Sequence, residues 1–416
     1  MPQSFEWYVG IDWGYDAHQF CVLNATRSVI AQRQVPHEPE ALVAAFDWLA
    51  TVTGAAPSAI AVAIERPHGA VVEMLLDHGF AVFALNPKQL DRFRDRFTAA
   101  GAKDDRRDAE VLGDSLRTDP QAFTRVPASE ARLVQLQTLA RAEQALKRDL
   151  SRLTNRLREQ VYRVAPAVAR LVPAADEPWF WTLVEQASTP AAQHALTSTA
   201  VRTILKTHRI RRLTAETVLA ALRAPAWPLA PGVAEAAADA IALLVAQLRV
   251  TDAQRRRSVA RQETLLTALH EAPAPSDPRG HRDVEILSSL PGLGRTGTVT
   301  MLTEAAPALA ARDYARLRAQ AGSAPVTSAS GKRRLVGMRR ACNHRLREAV
   351  YHWSRVSIQR DADARAYYDR LRARGHGHAR TLRALANRWL RTLVAMLTHR
   401  TLYDPSRPRH AQLLTT

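Results

Sequence analysis

Four carboxylic acids in the first part of the chain have the types and spacing of a metal-binding site. Asp12 ends an apolar run, Glu65 follows the apolar run 59–64, and Asp105 and Asp108 lie three residues apart. Ends of neighbouring strands bring distant residues together, and a spacing of three puts two side chains on one helix face. Carboxylates gathered in a small volume repel one another, and one or two Mg²⁺ or Mn²⁺ ions relieve this repulsion. Such ions support phosphodiester cleavage.

Each of these acids, taken singly, has a simpler explanation. An Asp that ends a strand caps a turn, and an Asp at a helix start offsets the helix dipole. The set of four, together with the order of the elements that contain it, favours a metal site. Asp104 is an alternative to Asp105 as the third ligand, although its spacing to Asp108 is four.

A serine-bearing segment in residues 322–350 is the second candidate site. A loop of small residues carries Ser328 and Ser330 and runs directly into a basic stretch. The residues predicted to bind nucleic acid there are Lys332, Arg333, Arg334, Arg339 and Arg340. A serine surrounded by cations is suited to attack phosphorus, because the charges stabilise both the oxyanion and the phosphate. From chemistry alone, a flexible phosphate-binding loop without a covalent role is the simpler interpretation.

The sequence Pro291-Gly292-Leu293-Gly294 joins two segments with helical patterns. It resembles the turn of a helix-hairpin-helix element, in which Gly292 and Gly294 would let backbone N–H groups approach a phosphate at a helix N-terminus. A plain turn between helices is the alternative. The position just before the basic stretch favours nucleic-acid binding.

The first acids must be positioned by an α/β domain. Apolar runs predict three antiparallel strands at 7–12, 19–24 and 28–35, and then a helix over 40–53. A buried strand over 59–64, a helix near 71–78 and a strand at 81–85 follow. This order of elements is typical of an RNase H-like sheet.

From Ser129 onward the pattern changes to long helices. Apolar residues at steps of three and four, from Leu146 to Val164, resemble a coiled-coil seam, and a second long helix is predicted over 236–269. The two helices are expected to pair as an antiparallel arm, with dimerisation through this arm as one alternative and an ordinary bundle core as the other. Residues 172–232 receive no role, and Ala272–Pro278 reads as a linker.

Three domains are therefore predicted. Residues 1–125 form the RNase H-like (RuvC-like) catalytic domain, 126–271 a helical or coiled-coil region, and 279–416 a mainly helical domain that carries Ser330. Residues 1–110 hold 10 Lys or Arg against 15 Asp or Glu, whereas residues 332–400 hold 18 against 4. The acidic part would concentrate metal ions, while the basic part would hold a phosphate backbone.

The composition limits the class of protein. The chain has 416 residues, a formal net charge of +18 and a pI near 10.9, which favours a polyanionic partner. Its two cysteines, Cys21 and Cys342, are far apart, so neither a disulfide framework nor a structural zinc site is expected, and both are predicted core residues. The pattern predicts no membrane span and no export signal, and we expect a cytoplasmic, nucleoid-associated bacterial protein.

Taken together, these motifs resemble the DEDD transposases of the insertion sequence 110 family over nearly the whole chain. The family's D, E and K-T-D-x-x-D-A motifs match Asp12, Glu65 and Lys103–Ala109, with Asp104 in place of the usual Thr. The family's PGIG-like turn matches Pro291–Gly294, and its Ser-Gly pair matches Ser330-Gly331. The usual G-L-x-P before the serine reads G-S-A-P here, which is a small departure.

The resemblance implies an RNA-guided DNA transposase or recombinase. It implies that Ser330 attacks a DNA phosphate to form a phosphoserine link, assisted by Mg²⁺ held by the four carboxylates. The two halves of the site would come from different subunits, in a tetramer of two dimers. A structured bridge RNA would pair with donor and target double-stranded DNA, which fits the lack of a zinc finger or an obvious recognition helix in the sequence.

Two other classes of protein remain as alternatives. A hydrolytic RuvC-like nuclease or Holliday junction resolvase would use water as its nucleophile, and Ser330 would only bind phosphate. A DEDD exonuclease is disfavoured, because Gly14 stands where a second acid would be needed. An inactive nucleic-acid-binding protein would not depend on Mg²⁺, and the presence of all four acids argues against it.

Overall fold

Contacts divide the protein into two units, Met1–Glu130 and Ala131–Thr416. The structure is a computed structural model, and it describes residues 5–85, 90, 93, 104–126, 130–225, 228–271, 281–330 and 333–406. The predicted linker 272–278 and the motif residues Lys103, Gly331 and Lys332 lie outside the described residues. The three-domain division stays a prediction.

The first unit contains a six-stranded sheet. Its strands are β1 (Trp7–Asp12), β2 (Ala17–Asn24), β3 (Val29–Pro36), β4 (Ile60–Ile64), β5 (Ala81–Ala84) and β6 (Thr124–Arg125), in the order β3-β2-β1-β4-β5-β6. Strands β1 to β3 are antiparallel, β4 is parallel to β1, β5 is parallel to β4, and β6 is antiparallel to β5. This mixed sheet is compatible with the predicted RNase H-like fold.

Helices cover both faces of this sheet. They are α1 (Pro39–Thr53), α2 (Ala70–Asp77) and α3 (Asp105–Thr118). Successive strand residues point to opposite faces, so Val9 and Ile11 of β1 pack in one core cluster with residues of α1 and α2. On the other face, α3 packs against β1, β2 and β4, where β4 presents the small residues Ala61 and Ala63. Small side chains at the strand positions that face α3 let this helix lie close to the sheet.

The second unit is largely helical. Its helices are α4 (Ala131–Val164), α5 (Pro166–Ala169), α6 (Pro178–Gln186), α7 (Pro190–Ala195), α8 (Ser198–Thr207), α9 (Ala215–Leu222), α10 (Val233–Glu271), α11 (Asp283–Ser289), α12 (Gly294–Glu304), α13 (Ala306–Ala310), α14 (Tyr314–Gln320), α15 (His344–Arg360), α16 (Ala362–Ala373) and α17 (His378–His399). Two strands, β7 (Pro325–Ser330) and β8 (Arg333–Met338), complete it. No described helix is long and apolar enough to cross a membrane.

The long helices α4 and α10 lie side by side and run antiparallel. Arg132 near the start of α4 donates to the carbonyl of Ala268 near the end of α10, and Ser258 donates to the carbonyl of Leu139. The pairing of the two long helices is therefore as the apolar periodicity predicts. Helices α5 to α9 cover the far end of this pair, where Trp179 and Trp181 are buried. The two tryptophans are core residues of a segment that the sequence left without a role.

The near end of the helix pair packs on helices α11 to α17. The described core there includes the indole rings of Trp353 and Trp389, whose centroids lie 5.3 Å apart. Of the two cysteines, Cys21 is buried as predicted, and burial raises the pKa of its thiol to about 11. Cys342 is only partly buried, and both cysteines are free thiols.

Candidate carboxylate site and serine hairpin

The first two carboxylates lie side by side at one end of the sheet. Strands β1 and β4 are parallel, and their register pairs Ile11 with Ile64. Asp12 follows Ile11 and Glu65 follows Ile64, and neighbouring hydrogen-bonded strands lie about 4.8 Å apart. Both residues are partly exposed. The register thus brings Asp12 and Glu65 together, as the strand-end argument predicts.

Helix α3 carries the other two acids in its first turn. Asp104 is the N-cap residue, and its carboxylate accepts a hydrogen bond from the backbone N–H of Arg106 at 3.2 Å. Asp105 is exposed, whereas Asp108 is 2% exposed. The capping contact gives Asp104 a local structural role, and this leaves Asp105 as the better candidate ligand.

A close contact between backbones fixes α3 against β1. A Cβ atom added at Gly10 would lie 1.8 Å from the carbonyl oxygen of Ala109 and 2.7 Å from the backbone nitrogen of Gly113. Only glycine fits there, because no side-chain movement relieves a clash with backbone atoms. Ala109 follows Asp108, and Gly10 precedes Asp12 by two residues. The contact therefore places the backbone of Asp108 beside the end of β1.

Sequence reasoning missed these two glycines. Gly113 lies inside helix α3, where a glycine lowers helix stability by about 1 kcal/mol relative to alanine. Such a glycine often has a packing reason, so it was a usable signal. Its partner, Gly10, carries no comparable signal, because the clash arises only when helix and strand are in contact.

The described side chains do not converge on a metal site as they stand. Among the residues that the structure describes, no group of three or more His, Cys, Asp or Glu side chains could hold a metal ion. The backbone positions of Asp12, Glu65 and Asp108, and the hard carboxylate oxygens that they provide, nevertheless suit Mg²⁺ or Mn²⁺. Two features therefore suit these residues to a divalent ion: the carboxylate oxygens that they provide and the positions of their backbones.

Aromatic and basic side chains flank the two strand-end acids. The guanidinium of Arg66 lies over the ring of Trp13, 4.1 Å from its centroid. Next to Trp13 lies His18, which is fully buried and whose Nε2 atom is 2.7 Å from Nδ1 of His37. Burial, and then the neighbouring His37, lower the pKa of His18 to about 4. At neutral pH, His18 is thus an uncharged imidazole near the acids.

The serine segment is a β-hairpin and not the loop expected from its small residues. Strand β7 pairs with β8, and the register places Ser330 opposite Arg333 and Ser328 opposite Leu335. The structural context outweighs the low β-propensity of Ala in this segment, and the pairing with a partner strand is not contained in a local pattern. Ser330 and Arg333 are both exposed, at the turn end of the hairpin.

The basic residues after the hairpin are tied to helix α15. The guanidinium of Arg347 donates to the carbonyls of Arg339 and Arg340. Gly322 has a φ of +65°, and a Cβ atom there would lie 2.7 Å from Nε of Arg347. Arg333, Arg334 and Arg340 are exposed and Arg339 is partly exposed. Their side chains are thus available to a polyanion at the surface of this unit.

The Pro291–Gly294 turn joins helices α11 and α12, as the sequence predicts. Gly292 has a φ of +81°, and a Cβ atom there would lie 2.8 Å from the backbone nitrogen of Ser357 on α15. The indole N–H of Trp353 donates to the carbonyl of Pro291 at 3.1 Å. Packing on α15 therefore explains Gly292. Gly294 is exposed at the start of α12, with φ +61° and no atom within 4 Å of an added Cβ.

An acid-bearing α/β unit followed by a basic helical unit is the arrangement expected of an enzyme that acts on nucleic acid. The family model DEDD_Tnp_IS110, described as "Transposase", matches residues 9–166. A second model, described as "Transposase IS116/IS110/IS902 family", matches residues 284–369. The chain belongs to this transposase family.

Curated relatives agree with the family models. The "Mini-circle putative transposase for IS117" of Streptomyces coelicolor is 32% identical over 96% of this chain and 96% of its own length. The "Putative transposase y4uE" of Sinorhizobium fredii is 42% identical over 52% of this chain, and the match spans 60% of that relative. The "Insertion element IS110 uncharacterized 43.6 kDa protein" of Streptomyces coelicolor is 26% identical over 98% of this chain.

Proposed function

We propose that this protein excises and integrates an insertion sequence by cleaving and rejoining DNA, with Ser330 as the nucleophile. The observation that carries the proposal is the hairpin register, which holds the exposed Ser330 opposite the exposed Arg333. Cβ atoms of directly opposite residues lie about 5 Å apart. Arg333 is therefore close enough to hold the phosphate that Ser330 attacks, and guanidinium groups bind phosphate oxygens with two parallel hydrogen bonds.

In the proposed reaction, Ser330 loses its proton and its Oγ atom forms a bond to phosphorus. The bond from phosphorus to a deoxyribose oxygen breaks, and that oxygen takes up a proton. Attack by another deoxyribose hydroxyl on the phosphoserine then rejoins the strands and releases Ser330. The basic residues Arg334, Arg339 and Arg340, together with Lys332, would hold the neighbouring phosphates.

The carboxylates Asp12, Glu65, Asp105 and Asp108 are proposed to hold Mg²⁺ or Mn²⁺. A divalent ion in this position would supply electrostatic stabilisation for the transferring phosphate. The alignment of Asp12 with Glu65, and the contact that brings Asp108 to β1, support this assignment. Gly292 and Gly294 are proposed as phosphate contacts; the exposed Gly294 is the better supported of the two.

The proposed partners are donor and target double-stranded DNA, a structured guide RNA, and further copies of this chain. The net charge of +18 supports polyanionic partners. The antiparallel pair α4 and α10 is proposed to extend as a coiled-coil arm through which two copies dimerise, and two dimers would form a tetramer. The family resemblance supports the guide RNA, whose base pairing would choose the DNA sites.

The test of the nucleophile is covalent trapping. The protein is incubated with labelled element-end DNA, Mg²⁺ and the transcript of the DNA that flanks its gene, and denaturing gels detect protein–DNA adducts. We expect an adduct with the unmodified chain and with Ser328→Ala, and none with Ser330→Ala. Strand exchange by Ser330→Ala would exclude Ser330 as the nucleophile, whereas cleavage without any adduct would favour the hydrolytic nuclease, in which water attacks.

The same assay tests the carboxylates. Asp108→Asn removes one charge at a buried position, and we expect cleavage to fall at least about 100-fold while DNA binding persists. Glu110→Gln is the matched control, because it makes the same chemical change two residues along α3 and should keep activity. Equal activity of the two variants would remove Asp108 from the proposed metal site.

A further inference from the structure

A surface pocket is lined by the last turns of helix α4 and by residues at the end of helix α5. Its volume is about 770 Å³. Pockets that hold small ligands usually measure about 300 to 1,000 Å³, so this one is large enough for a nucleotide-sized group. The carboxylate site and the serine hairpin lie elsewhere in the chain, and the proposed chemistry makes no use of this pocket.

The aromatic group of the pocket is Tyr162, whose side chain is 56% exposed. Its neighbours Leu157, Val161 and Val164 on the same helix are buried in the core of the second unit. In the described part of the chain, the side chain of Tyr162 has no hydrogen-bond or ring-stacking partner. An exposed aromatic ring of this kind is a platform on which a nucleobase stacks.

Positive charges surround this tyrosine. Arg156 and Arg158 of α4 and Arg170 after α5 are exposed and line the pocket. Among the residues that the structure describes, none of the three guanidinium groups has an acidic partner. Residues 152–170 hold five Arg against one Glu. Guanidinium groups without a partner are available to phosphates, to which each donates two parallel hydrogen bonds. The charge of the pocket therefore fits an anionic ligand.

Two polar side chains of α4 add hydrogen-bonding groups beside the ring. Asn155 and Glu159 are exposed, line the pocket and lie four residues apart, and Tyr162 follows three residues later on the same helix face. The amide both donates and accepts, whereas the carboxylate only accepts. A carboxylate repels phosphate, but it accepts hydrogen bonds from the amino groups on the edge of a nucleobase. This combination of groups fits a base that is flanked by phosphates.

The pocket fits RNA better than duplex DNA. The DNA partners of the proposed function are double-stranded, and a base in a duplex reaches a pocket only after its pairing and stacking are broken. Loops and bulges of a structured RNA already hold unstacked bases, which proteins bind by aromatic stacking and by hydrogen bonds to the base edge. The occupant that needs no such disruption is an unpaired base of RNA.

We propose that this pocket binds one unpaired nucleobase of the guide RNA, stacked on the ring of Tyr162. The three arginines hold the phosphates next to that nucleotide, and Asn155 and Glu159 bind the edge of the base. This inference rests on the proposed function, and it adds a site that selects a particular nucleotide of the RNA.

The first experiment locates the base by crosslinking. In the full chain, Tyr162 is replaced by p-azidophenylalanine, which bonds to adjacent groups under ultraviolet light. The probes are the labelled transcript of the DNA that flanks the gene and the labelled element-end duplex, and primer extension maps the crosslinked nucleotide. We expect one main crosslink, at an unpaired nucleotide of the transcript. The same replacement at Tyr351, an exposed tyrosine of α15, is the control and should not crosslink that nucleotide.

The second experiment measures stacking by equilibrium binding. The transcript is compared with the same transcript lacking the base at the crosslinked nucleotide. Loss of one stacked base weakens binding at least about fivefold. We expect this loss with the unmodified chain and with Tyr162→Phe, which keeps the ring, and a clearly smaller loss with Tyr162→Ser. Because two RNAs are compared on one protein, an effect of Tyr162→Ser on folding cancels.

Three outcomes would overturn the proposal. The first is an equal loss from the missing base in the unmodified chain and in Tyr162→Ser. The second is a crosslink to the element-end DNA with none to the transcript, which would assign the pocket to DNA. The third is a crosslink to a second copy of the chain, which would assign the pocket to the dimer.

The failure of this inference is distinguishable from the failure of the proposed function. Absence of any crosslink to a transcript that still binds would overturn this inference alone. A transcript that does not bind the unmodified chain would overturn the guide RNA of the proposed function as well. Crosslinking to RNA requires no DNA cleavage, so the trapping experiment with Ser330→Ala tests the nucleophile separately.

Discussion

At the scale of single residues, burial decides which groups near the acids carry charge. His18 is fully buried on β2 beside Trp13, and its contact to His37 leaves its Nδ1 atom without a hydrogen-bond partner. A protonated imidazole in this position would lose its hydration and meet a second imidazole. The ring is therefore kept neutral, and its protonation is coupled to unfolding.

This coupling predicts how stability depends on pH. The pKa of His18 is about 4 in the folded protein and about 6.5 in an unfolded chain, so only the unfolded state gains a proton between these values. Stability of the first unit should fall as pH drops from 6.5 towards 4, by at most about 1.4 kcal/mol per pH unit from this group. The measurement is hydrogen exchange of the β1 and β2 amides.

The variant His18→Gln cannot titrate in this range, so its pH dependence should be shallower. His68→Gln is the control, since His68 is exposed in the same unit and its loss should leave the slope unchanged. The same slope in His18→Gln and in the unmodified chain would contradict the prediction.

At the scale of elements, the contact of α3 with β1 links packing to the proposed chemistry. The helix approaches the strand to backbone contact at Gly10, Ala109 and Gly113, and Asp108 lies at this contact. A side chain at Gly10 must push the helix away, which separates Asp108 from the strand-end acids. Stability and placement of the acids therefore depend on the same glycine.

We predict that Gly10→Ala destabilises the protein by about 3 kcal/mol, because overpacking against backbone cannot be relieved by a rotamer change. Gly377→Ala is the control, since an added Cβ there meets no atom within 4 Å and the backbone is in a region open to alanine. Urea unfolding of the full chain compares them. If Gly10→Ala lowers the free energy of unfolding by no more than the control does, helix α3 can shift freely away from β1.

A second contact between elements joins the long helices α4 and α10 to helix α12 of the same unit. Glu143 of α4 is 3% exposed and accepts from Lys147 at 2.7 Å and from Gln262 of α10 at 2.8 Å. Burial opposes its charge, but these hydrogen bonds and the charges of Lys147 and Arg295 hold its pKa below the usual range. Since Arg295 begins the helix after the Pro291–Gly294 turn, the network links three helices.

At the scale of the whole molecule, the two units carry net charges of opposite sign, negative in Met1–Glu130 and positive in Ala131–Thr416. The first unit carries the acids proposed to bind metal, and the second carries the hairpin with Ser330 and most of the positive charge. A carboxylate cluster without a bound cation would repel DNA, so the division lets one part bind ions and the other bind phosphate. This division also suits the proposed site shared between subunits.

The proposed dimer makes a prediction at this scale. Leu243 and Val250 are seven residues apart on α10, so they lie on one face of the helix, and they are 68% and 58% exposed. Leu243→Lys combined with Val250→Lys should convert dimers to monomers in light-scattering measurements. Thr199→Lys with Thr203→Lys, two exposed residues of α8, adds the same charge away from the arm. Dimers that persist in the first variant would place the interface elsewhere.

Local patterns in the sequence were sufficient for the order of the first five strands and the two helices between them, for the residues at strand ends, and for both long helices. Apolar alternation and helical periodicity depend on near neighbours, so they predicted the strands that end at Asp12 and precede Glu65, and both long helices. The family resemblance also depends on short motifs whose spacing is written in the sequence. These features need no knowledge of which distant segments meet.

Only the tertiary structure decided which of these segments are in contact. The register of β1 on β4 aligns Asp12 with Glu65, and the approach of α3 to Gly10 brings in Asp108. The partner strand makes the small residues around Ser330 a hairpin, and distant helices bury Trp179 and Trp181. The physical reason is that pairing and close packing are free energies between residues far apart in the chain, which a local pattern does not contain.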